Sequence, residues 1–265
     1  MESVTSEGVN PRKTDFGRVG GEAFRWMAGP HAGNRARCYD QTLRSPYFMW
    51  LVALLVCTLA TAFAFVYLDV PIARSMLGVL RSETLATGFG SAVLVAAEAS
   101  VALALILQRI TRGHLSPWRE ATLLACLTSI CAYAINDGTL KFFFGIANPT
   151  AVMHGTRHTF HLLGGSPKSS FPSGHMVIAG AFAGVFMRLY RASTWLLSVL
   201  LLVGAALLVA GDWHFVSDVI AGTFLGVSAG LLAGEVWLAH SGQGGRDDRG
   251  GITGRAEVSR PGLRD

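Results

Sequence analysis

Long apolar runs alternate with short polar segments along most of this chain. Six runs stand out, at 46–68, 84–108, 118–140, 174–190, 195–211 and 215–239. A helix needs about 20 residues to cross the hydrocarbon core of a bilayer, and most of the runs reach that length, although the fourth and fifth are shorter. The pattern predicts an all-α, polytopic membrane protein in which residues 46–240 form a six-transmembrane-helix bundle.

Polar segments flank the predicted bundle. Residues 1–45 are rich in Gly, Arg and polar side chains, and they lack the apolar core of a cleavable signal peptide. We therefore expect the first membrane span to direct insertion, and the composition of residues 1–45 predicts disorder. Residues 241–265 are predicted to form a short polar tail.

The basic residues indicate an orientation in the membrane, because Lys and Arg gather on the cytoplasmic side of membrane proteins. With six spans, 17 of the 22 basic residues fall on the side of the two termini. The other five are Arg74, Arg81, Lys141, Arg157 and Lys168. The sequence thus predicts a multi-pass protein of the cell (inner) membrane with both termini in the cytoplasm.

Composition excludes several other classes of protein. The chain is 51% hydrophobic and 15% charged, with a mean hydropathy of +0.42, which is too apolar for a soluble domain of this length. The net charge of +5 is spread between apolar runs, so no nucleic-acid partner is expected. Cys57, Cys126 and Cys131 lie inside apolar runs and Cys38 lies in the polar segment, which favours neither a disulfide framework nor a zinc site.

A small polar turn at 169–178 leads directly into the fourth apolar run. Pro172 suits the opening turn of a helix, and Ser173 and Gly174 would present free backbone N–H groups at its start. Such a helix start favours a phosphate, and His175 places a proton donor beside it. A capped helix with a chance histidine is the simpler alternative.

The predicted topology brings distant polar residues to one membrane face. The third span ends near Lys141, the fourth begins at His175, and the fifth ends near His214, so all three are expected on the periplasmic or extracellular side. His214 and Asp218 are spaced i, i+4, which allows the carboxylate to bond one imidazole nitrogen and leaves the other free to attack. Ionisable groups in a membrane helix usually serve a function.

Simpler interpretations remain open for each of these residues. Lys141 could reach from the span end to the lipid headgroups, and the His214 and Asp218 pair could satisfy only itself. Glu98 and Asp137 are costly in lipid but have no obvious partner in the sequence, so we interpret them as structural or supporting residues.

Three histidines, His154, His158 and His161, lie close together before the fourth run. A metal site there is disfavoured, because the segment is rich in glycine and no carboxylate joins the histidines. We expect no metal and no cofactor.

These residues resemble a known family, the type 2 phosphatidic acid phosphatase superfamily of integral-membrane lipid phosphatases, which shares its core with vanadium haloperoxidases. The resemblance covers Trp118 to Val236. Its three signatures are Lys with Arg-Pro after six residues, then Pro-Ser-Gly-His, then Ser-Arg followed by His and Asp. Lys141, the intact 172–175 motif and the pair of His214 and Asp218 match them.

The chain departs from the pattern at both arginines. Asn148 precedes Pro149 where the family has Arg, and Leu207 and Leu208 stand in place of Ser-Arg. Arg157 is predicted to be the substitute phosphate ligand and Lys168 a weaker auxiliary, because both lie in the loop before Pro172.

The resemblance implies a metal-independent hydrolase acting on a lipid phosphate or a polyprenyl (di)phosphate. It implies that His214 attacks phosphorus to form a phosphohistidine, that Asp218 orients His214 and that His175 protonates the leaving oxygen. Lys141, Ser173 and Gly174 would hold the phosphate oxygens. The alternatives are a phosphotransferase using the same histidine, or a degenerate membrane protein that only binds lipid phosphates. Substrate and membrane lipids are the expected partners.

Overall fold

The computed structural model describes residues 46–77, 90–166 and 168–250, and these residues hold no β-strand. The predicted disordered segment, residues 1–45, and the last part of the tail lie outside the described residues. The chain divides into two units, Met1–Ala53 and Leu54–Asp265. In the first unit the described residues are the opening turns of a helix, and the second unit contains the rest of the fold.

Nine α-helices are described. They are α1 (Pro46–Phe63), α2 (Asp69–Met76), α3 (Ser91–Arg112), α4 (Pro117–Ile135), α5 (Lys141–Phe144), α6 (Pro149–Met153), α7 (Gly174–Leu189), α8 (Thr194–Ala210) and α9 (Val216–Gly250). Wider π-helical turns, Ala64–Leu68 and Asn136–Leu140, join α1 to α2 and α4 to α5. A short 3₁₀ turn, Arg191–Ser193, precedes α8.

Five helical stretches in the described residues are long and apolar enough to cross a membrane. They are Tyr47–Met76, Ser91–Arg112, Pro117–Met153, Arg191–Ala210 and Val216–Ser241. The remaining predicted span is α7, which is apolar but has only 16 residues. The prediction of an all-α, polytopic membrane protein is therefore confirmed, and α7 is the helix that falls below the usual spanning length.

Four helical stretches continue beyond the apolar runs. The first reaches Met76 rather than 68, the second reaches Arg112 rather than 108, and the third reaches Phe144 rather than 140. Helix α9 continues to Gly250, past the predicted start of the tail at 241. In the first stretch the added turns include Asp69, which is 1% exposed and hydrogen-bonded inside the protein. A helix can therefore extend beyond the last residue of its apolar run when the polar residues that follow have hydrogen-bond partners inside the protein.

Helices α7 and α9 pack backbone against backbone. A Cβ on Gly226 would overlap the carbonyl oxygen of Val177, and a Cβ on Gly230 would overlap that of Ala181. Small residues at such an interface allow two helices to approach closely in a membrane. As a result the first turns of the helices also meet, and the N–H of Ser173 donates to the carbonyl of Asp218 at 3.1 Å.

Candidate active site

His214 and Asp218 form the centre of the site, at the start of α9. The Asp218 side chain is fully buried, and its Oδ2 accepts a hydrogen bond from the N–H of Phe215 at 2.9 Å. The same oxygen lies 3.4 Å from Nδ1 of His214. The pairing predicted from the i, i+4 spacing is therefore present, and it turns Nε2 of His214 away from the carboxylate.

Ser170 joins this pair, and sequence analysis missed it. Its hydroxyl donates to Oδ2 of Asp218, and its Oγ lies 3.3 Å from Nδ1 of His214. Ser170 is 2% exposed and lies in the loop before α7, 44 residues from His214. Since no motif spacing links the two residues, only the fold shows their contact.

His175 faces the other nitrogen of His214. Its Nδ1 lies 3.4 Å from Nε2 of His214, with the two rings nearly perpendicular. On its other side the His175 ring stacks on Trp213, with 6.0 Å between ring centroids. The two histidines therefore contact each other directly through these two nitrogens.

Lys141 lies beside the start of α7. Its side chain is 8% exposed and its Nζ lies 2.8 Å from Oδ1 of Asp137. Nζ is also 3.8 Å from the position that a Cβ on Gly174 would take. The structure thus brings Lys141 to the same place as His175 and His214, and it gives Asp137 the partner that sequence analysis did not find.

The start of α7 differs in detail from the prediction. The helix begins at Gly174, Ser173 is its N-cap, and Pro172 therefore precedes the helix instead of opening it. The Ser173 hydroxyl accepts from the N–H of Met176 at 3.5 Å, and the Ser173 N–H is already bonded to Asp218. The expected free N–H at Ser173 is wrong, because the close approach of α9 supplies it with an acceptor.

Arg157 and Lys168 are exposed. Within the described part of the chain, neither side chain forms a hydrogen bond or an ion pair with a residue of the site. Arg157 directly precedes His158, whose ring packs on Phe215 with 4.3 Å between ring centroids. The loop therefore passes close to the site, although the structure does not bring the two cations into it.

A second His–Asp pair lies on the other side of Phe215. Asp69 accepts hydrogen bonds from the N–H of Ser217 at 3.0 Å and from the Ser217 hydroxyl, and its Oδ2 lies 3.2 Å from Nε2 of His158. Asp69 and Ser217 are at most 1% exposed. This carboxylate connects α2 and the 158 loop to the first turn of α9, one residue from Asp218.

We expect Asp69→Ala to lower the stability of the protein markedly. Each buried donor left without an acceptor costs about 1–3 kcal/mol, and three donors lose their partner, so the loss is about 3 kcal/mol or more. That corresponds to roughly 6–12 °C in apparent unfolding temperature, to be measured on purified protein in detergent. Arg74→Ala, an exposed change on the same helix, is the control. Equal unfolding temperatures for the two variants would contradict the prediction.

Comparison with known families agrees with this geometry. The model of the PAP2 superfamily matches residues 121–239. These residues belong to the PAP2 superfamily. No curated protein and no solved structure is significantly similar to the chain. Membership supports a phosphatase-like function toward lipid phosphates in general, and the match agrees with the resemblance seen over Trp118 to Val236.

The positions of the two PAP2 arginines have other roles in this chain. The Asn148 side chain caps α6 by accepting from the N–H of Ala151 at 2.8 Å. Leu208 is 8% exposed and packs in an apolar cluster with Met176 and Val219. A guanidinium would not fit that environment unpaired. Asn148 and Leu208, which replace the two PAP2 arginines, are thus part of the hydrogen bonding and packing around them.

The other candidates from sequence analysis lie apart from His175 and His214. Glu98 is in the middle of α3, and its Oε2 is buried without a hydrogen-bond partner among the described residues. Nδ1 of His154 lies 2.7 Å from the carbonyl of Thr150, and Nε2 of His161 lies 3.2 Å from Oγ1 of Thr159. The described residues hold no group of three or more His, Cys, Asp or Glu side chains placed to bind a metal ion.

Proposed function

We propose that the protein is a membrane phosphatase that hydrolyses lipid phosphates or polyprenyl (di)phosphates through a phosphohistidine. The proposal rests on a row of three side chains beside the start of α7, Asp218, His214 and His175. Oδ2 of Asp218 lies 3.4 Å from Nδ1 of His214, and Nε2 of His214 lies 3.4 Å from Nδ1 of His175. Such a row orients a nucleophilic imidazole on one side and supplies a proton on the other.

His214 is the proposed nucleophile. Its Nδ1 carries the proton in the hydrogen-bond network, because both nearby groups, Asp218 Oδ2 and Ser170 Oγ, can accept one. Nε2 then holds a lone pair directed away from Asp218. That lone pair attacks phosphorus, the Nε2–P bond forms, and the bond from phosphorus to the leaving oxygen breaks. Asp218 stabilises the positive charge that develops on the ring.

His175 is the proposed acid and base. Its Nδ1 lies 3.4 Å from the attacking nitrogen. In the proposed reaction the bound phosphoryl group takes the place of this contact, and a proton on Nδ1 passes to the oxygen that leaves phosphorus. In the second step water attacks the phosphohistidine and gives a proton to His175. The Nε2–P bond breaks, inorganic phosphate leaves and both histidines return to their starting states.

Charge on the phosphoryl oxygens is balanced by the start of α7 and by Lys141. Gly174 is the first residue of α7, where N–H groups have no acceptor within the helix. The Ser173 hydroxyl is the further donor in this proposal. The ammonium group of Lys141 donates a hydrogen bond to Asp137, which holds it next to Gly174. Donors held in place before the reaction stabilise the transition state most effectively.

The surroundings of the site support a lipid as the substrate. The site lies at helix ends in a protein whose helices are long and apolar enough to span a membrane. A lipid keeps its hydrocarbon tail in the bilayer, while its phosphate projects to the membrane surface, where membrane-spanning helices end. We place the protein in the cell membrane, with both termini cytoplasmic and the site on the periplasmic or extracellular side. Substrate and membrane lipids are the proposed partners.

Phosphate release by the purified full-length protein tests this function. The substrates are phosphatidic acid, phosphatidylglycerophosphate, a polyprenyl phosphate and a polyprenyl diphosphate in detergent micelles. We expect turnover of at least one of them in EDTA and inhibition by vanadate, which adopts the five-coordinate geometry of phosphoryl transfer. Activity lost in EDTA and restored by a divalent metal would contradict the proposed chemistry. Transfer of phosphate to an added alcohol instead of water would favour the phosphotransferase alternative.

Arg157 is the proposed replacement for the missing PAP2 arginines. It lies next to His158, which packs against the residue following His214. A charged hydrogen bond contributes about 1.5–3 kcal/mol, so Arg157→Ala should lower kcat/KM by roughly 10- to 100-fold. Lys168 is the weaker auxiliary, and Lys168→Ala should have a smaller effect.

Two variants make the Arg157 measurement interpretable. Arg157→Lys keeps the charge but not the bidentate geometry, so its activity should lie between those of wild type and Arg157→Ala. Arg74→Ala removes an exposed positive charge elsewhere. If Arg157→Ala has no larger effect than Arg74→Ala, Arg157 is a surface residue and the PAP2 arginines have no replacement in this loop.

A further inference from the structure

A cavity of about 600 Å³ lies beside the proposed active site. Fifteen of the described residues line it, and none of them is charged. Its walls come from α1, the end of the third span, the loop before α7, and α9. Polar groups in the wall are largely occupied within their own helix: the Thr58 hydroxyl donates to the carbonyl of Leu54 at 2.8 Å. The cavity therefore offers a hydrocarbon surface.

The cavity borders the site through residues of its wall. Phe171 and Pro172 form part of its wall and lie between Ser170, which contacts His214, and Ser173, the cap of α7. On α9, Ala221 and Leu225 of the wall follow Asp218 by three and seven residues, which is about 5 and 10 Å along the helix. A group bound in the cavity can thus be attached to a phosphate held at His214.

The shape of the wall suits an extended chain. From Val66 back to Leu54 the wall follows α1 and its π turn, a distance of about 18 Å at 1.5 Å per residue. Phenylalanines gather at the end near the site, where Phe65, Phe144 and Phe171 contribute to the wall. Small side chains such as Ala62 lie along α1. The wall of the cavity is therefore apolar, extends along α1, and borders the site at the end where the phenylalanines lie.

The volume indicates how much hydrocarbon lies inside the cavity. If each methylene takes about the 30 Å³ that one water occupies in the liquid, the cavity holds roughly 20 methylene groups. This matches one chain, whereas the two chains of an ordinary membrane glycerolipid contain more carbon. We propose that the cavity binds the hydrocarbon chain of a lipid phosphate that carries a single chain, such as a prenyl phosphate. This inference rests on the proposed phosphatase function.

The test compares two kinds of substrate in variants whose cavity is narrowed by larger side chains. Ala62→Trp and Thr58→Phe place large side chains in the wall from the exposed side of α1. For a prenyl phosphate of about the cavity's capacity, both variants should raise KM by about 10-fold or more. For a short, water-soluble alkyl phosphate, KM should change by less than about 2-fold, because that substrate does not reach the cavity. Leu59→Trp is the control, since Leu59 is 61% exposed and is not part of the wall.

Wild-type protein should also prefer the prenyl phosphate to a two-chain phosphatidic acid in the same micelles, by about 10-fold or more in kcat/KM. Equal efficiencies would overturn the single-chain assignment. Unchanged KM in both wall variants would overturn the cavity as the binding site. If wild type releases no phosphate from either lipid or from the soluble phosphate, the phosphatase function itself fails, which is a different outcome from the other two.

Discussion

His214→Ala is expected to abolish phosphate release while leaving the protein folded. The variant removes the atom proposed to attack phosphorus, together with the contacts that this ring makes with Asp218 and His175. Loss of a nucleophile that acts together with its partners costs at least about 10³-fold in kcat. Asp218→Asn should be milder, because it keeps the imidazole and weakens only its orientation.

A trapped intermediate separates this mechanism from a merely structural role. Brief reaction with a substrate labelled in the phosphoryl group should leave an acid-labile, base-stable label on wild type and none on His214→Ala. His154→Ala is the matched control, because His154 is an exposed histidine in the loop region whose ring is 2.7 Å from the Thr150 carbonyl. A His214→Ala variant that still carries the label would show that another residue is the nucleophile.

His175→Gln is expected to show a loss that depends on the leaving group. The proposed role of His175 is to protonate the departing oxygen, and general acid catalysis contributes about 10²–10⁴-fold. A lipid alkoxide is a poor leaving group and needs that proton, so its hydrolysis should fall by about this factor. An aryl phosphate releases a stable phenolate, so formation of its phosphohistidine should fall much less.

The measurement compares kcat/KM for the alkyl and aryl substrates in wild type and His175→Gln. Hydrolysis of the phosphohistidine still uses His175 as base, so steady-state kcat should drop for both substrates while the first burst of phenol is preserved for the aryl one. An equal loss for both substrates in the burst phase would mean that His175 holds the phosphate or packs against Trp213, and does not transfer a proton.

Patterns between residues close together in the sequence predicted the helices and the contact of His214 with Asp218 correctly. Apolar runs indicate helices because a bilayer requires about 20 apolar residues. The spacing of His214 and Asp218 predicted their contact, although His214 lies in the turn before α9 and only Asp218 is on the helix. The pair of Asp137 and Lys141 has the same i, i+4 spacing and is present at 2.8 Å. Sequence analysis overlooked it because Lys141 had been interpreted only as a phosphate ligand or as a lysine reaching the lipid headgroups.

Contacts between distant segments could not be predicted in this way. Asp69 is 148 residues from Ser217 and 89 from His158, and Ser170 is 44 from His214. No periodicity connects such positions, and each partner taken alone resembles an ordinary loop or helix-end residue. The N–H of Ser173 was misjudged for the same reason, because its acceptor is a carbonyl on another helix.

The glycine contact between α7 and α9 restricts sliding of these two helices against each other. Where Gly226 faces the Val177 carbonyl and Gly230 faces that of Ala181, sliding of one backbone past the other would drive main-chain atoms together. His175 and His214 lie at the starts of these two helices, so the close packing also fixes the two proposed reacting groups relative to each other. For the proposed reaction we therefore expect α7 and α9 to keep their mutual position, so that opening for a lipid involves the other helices.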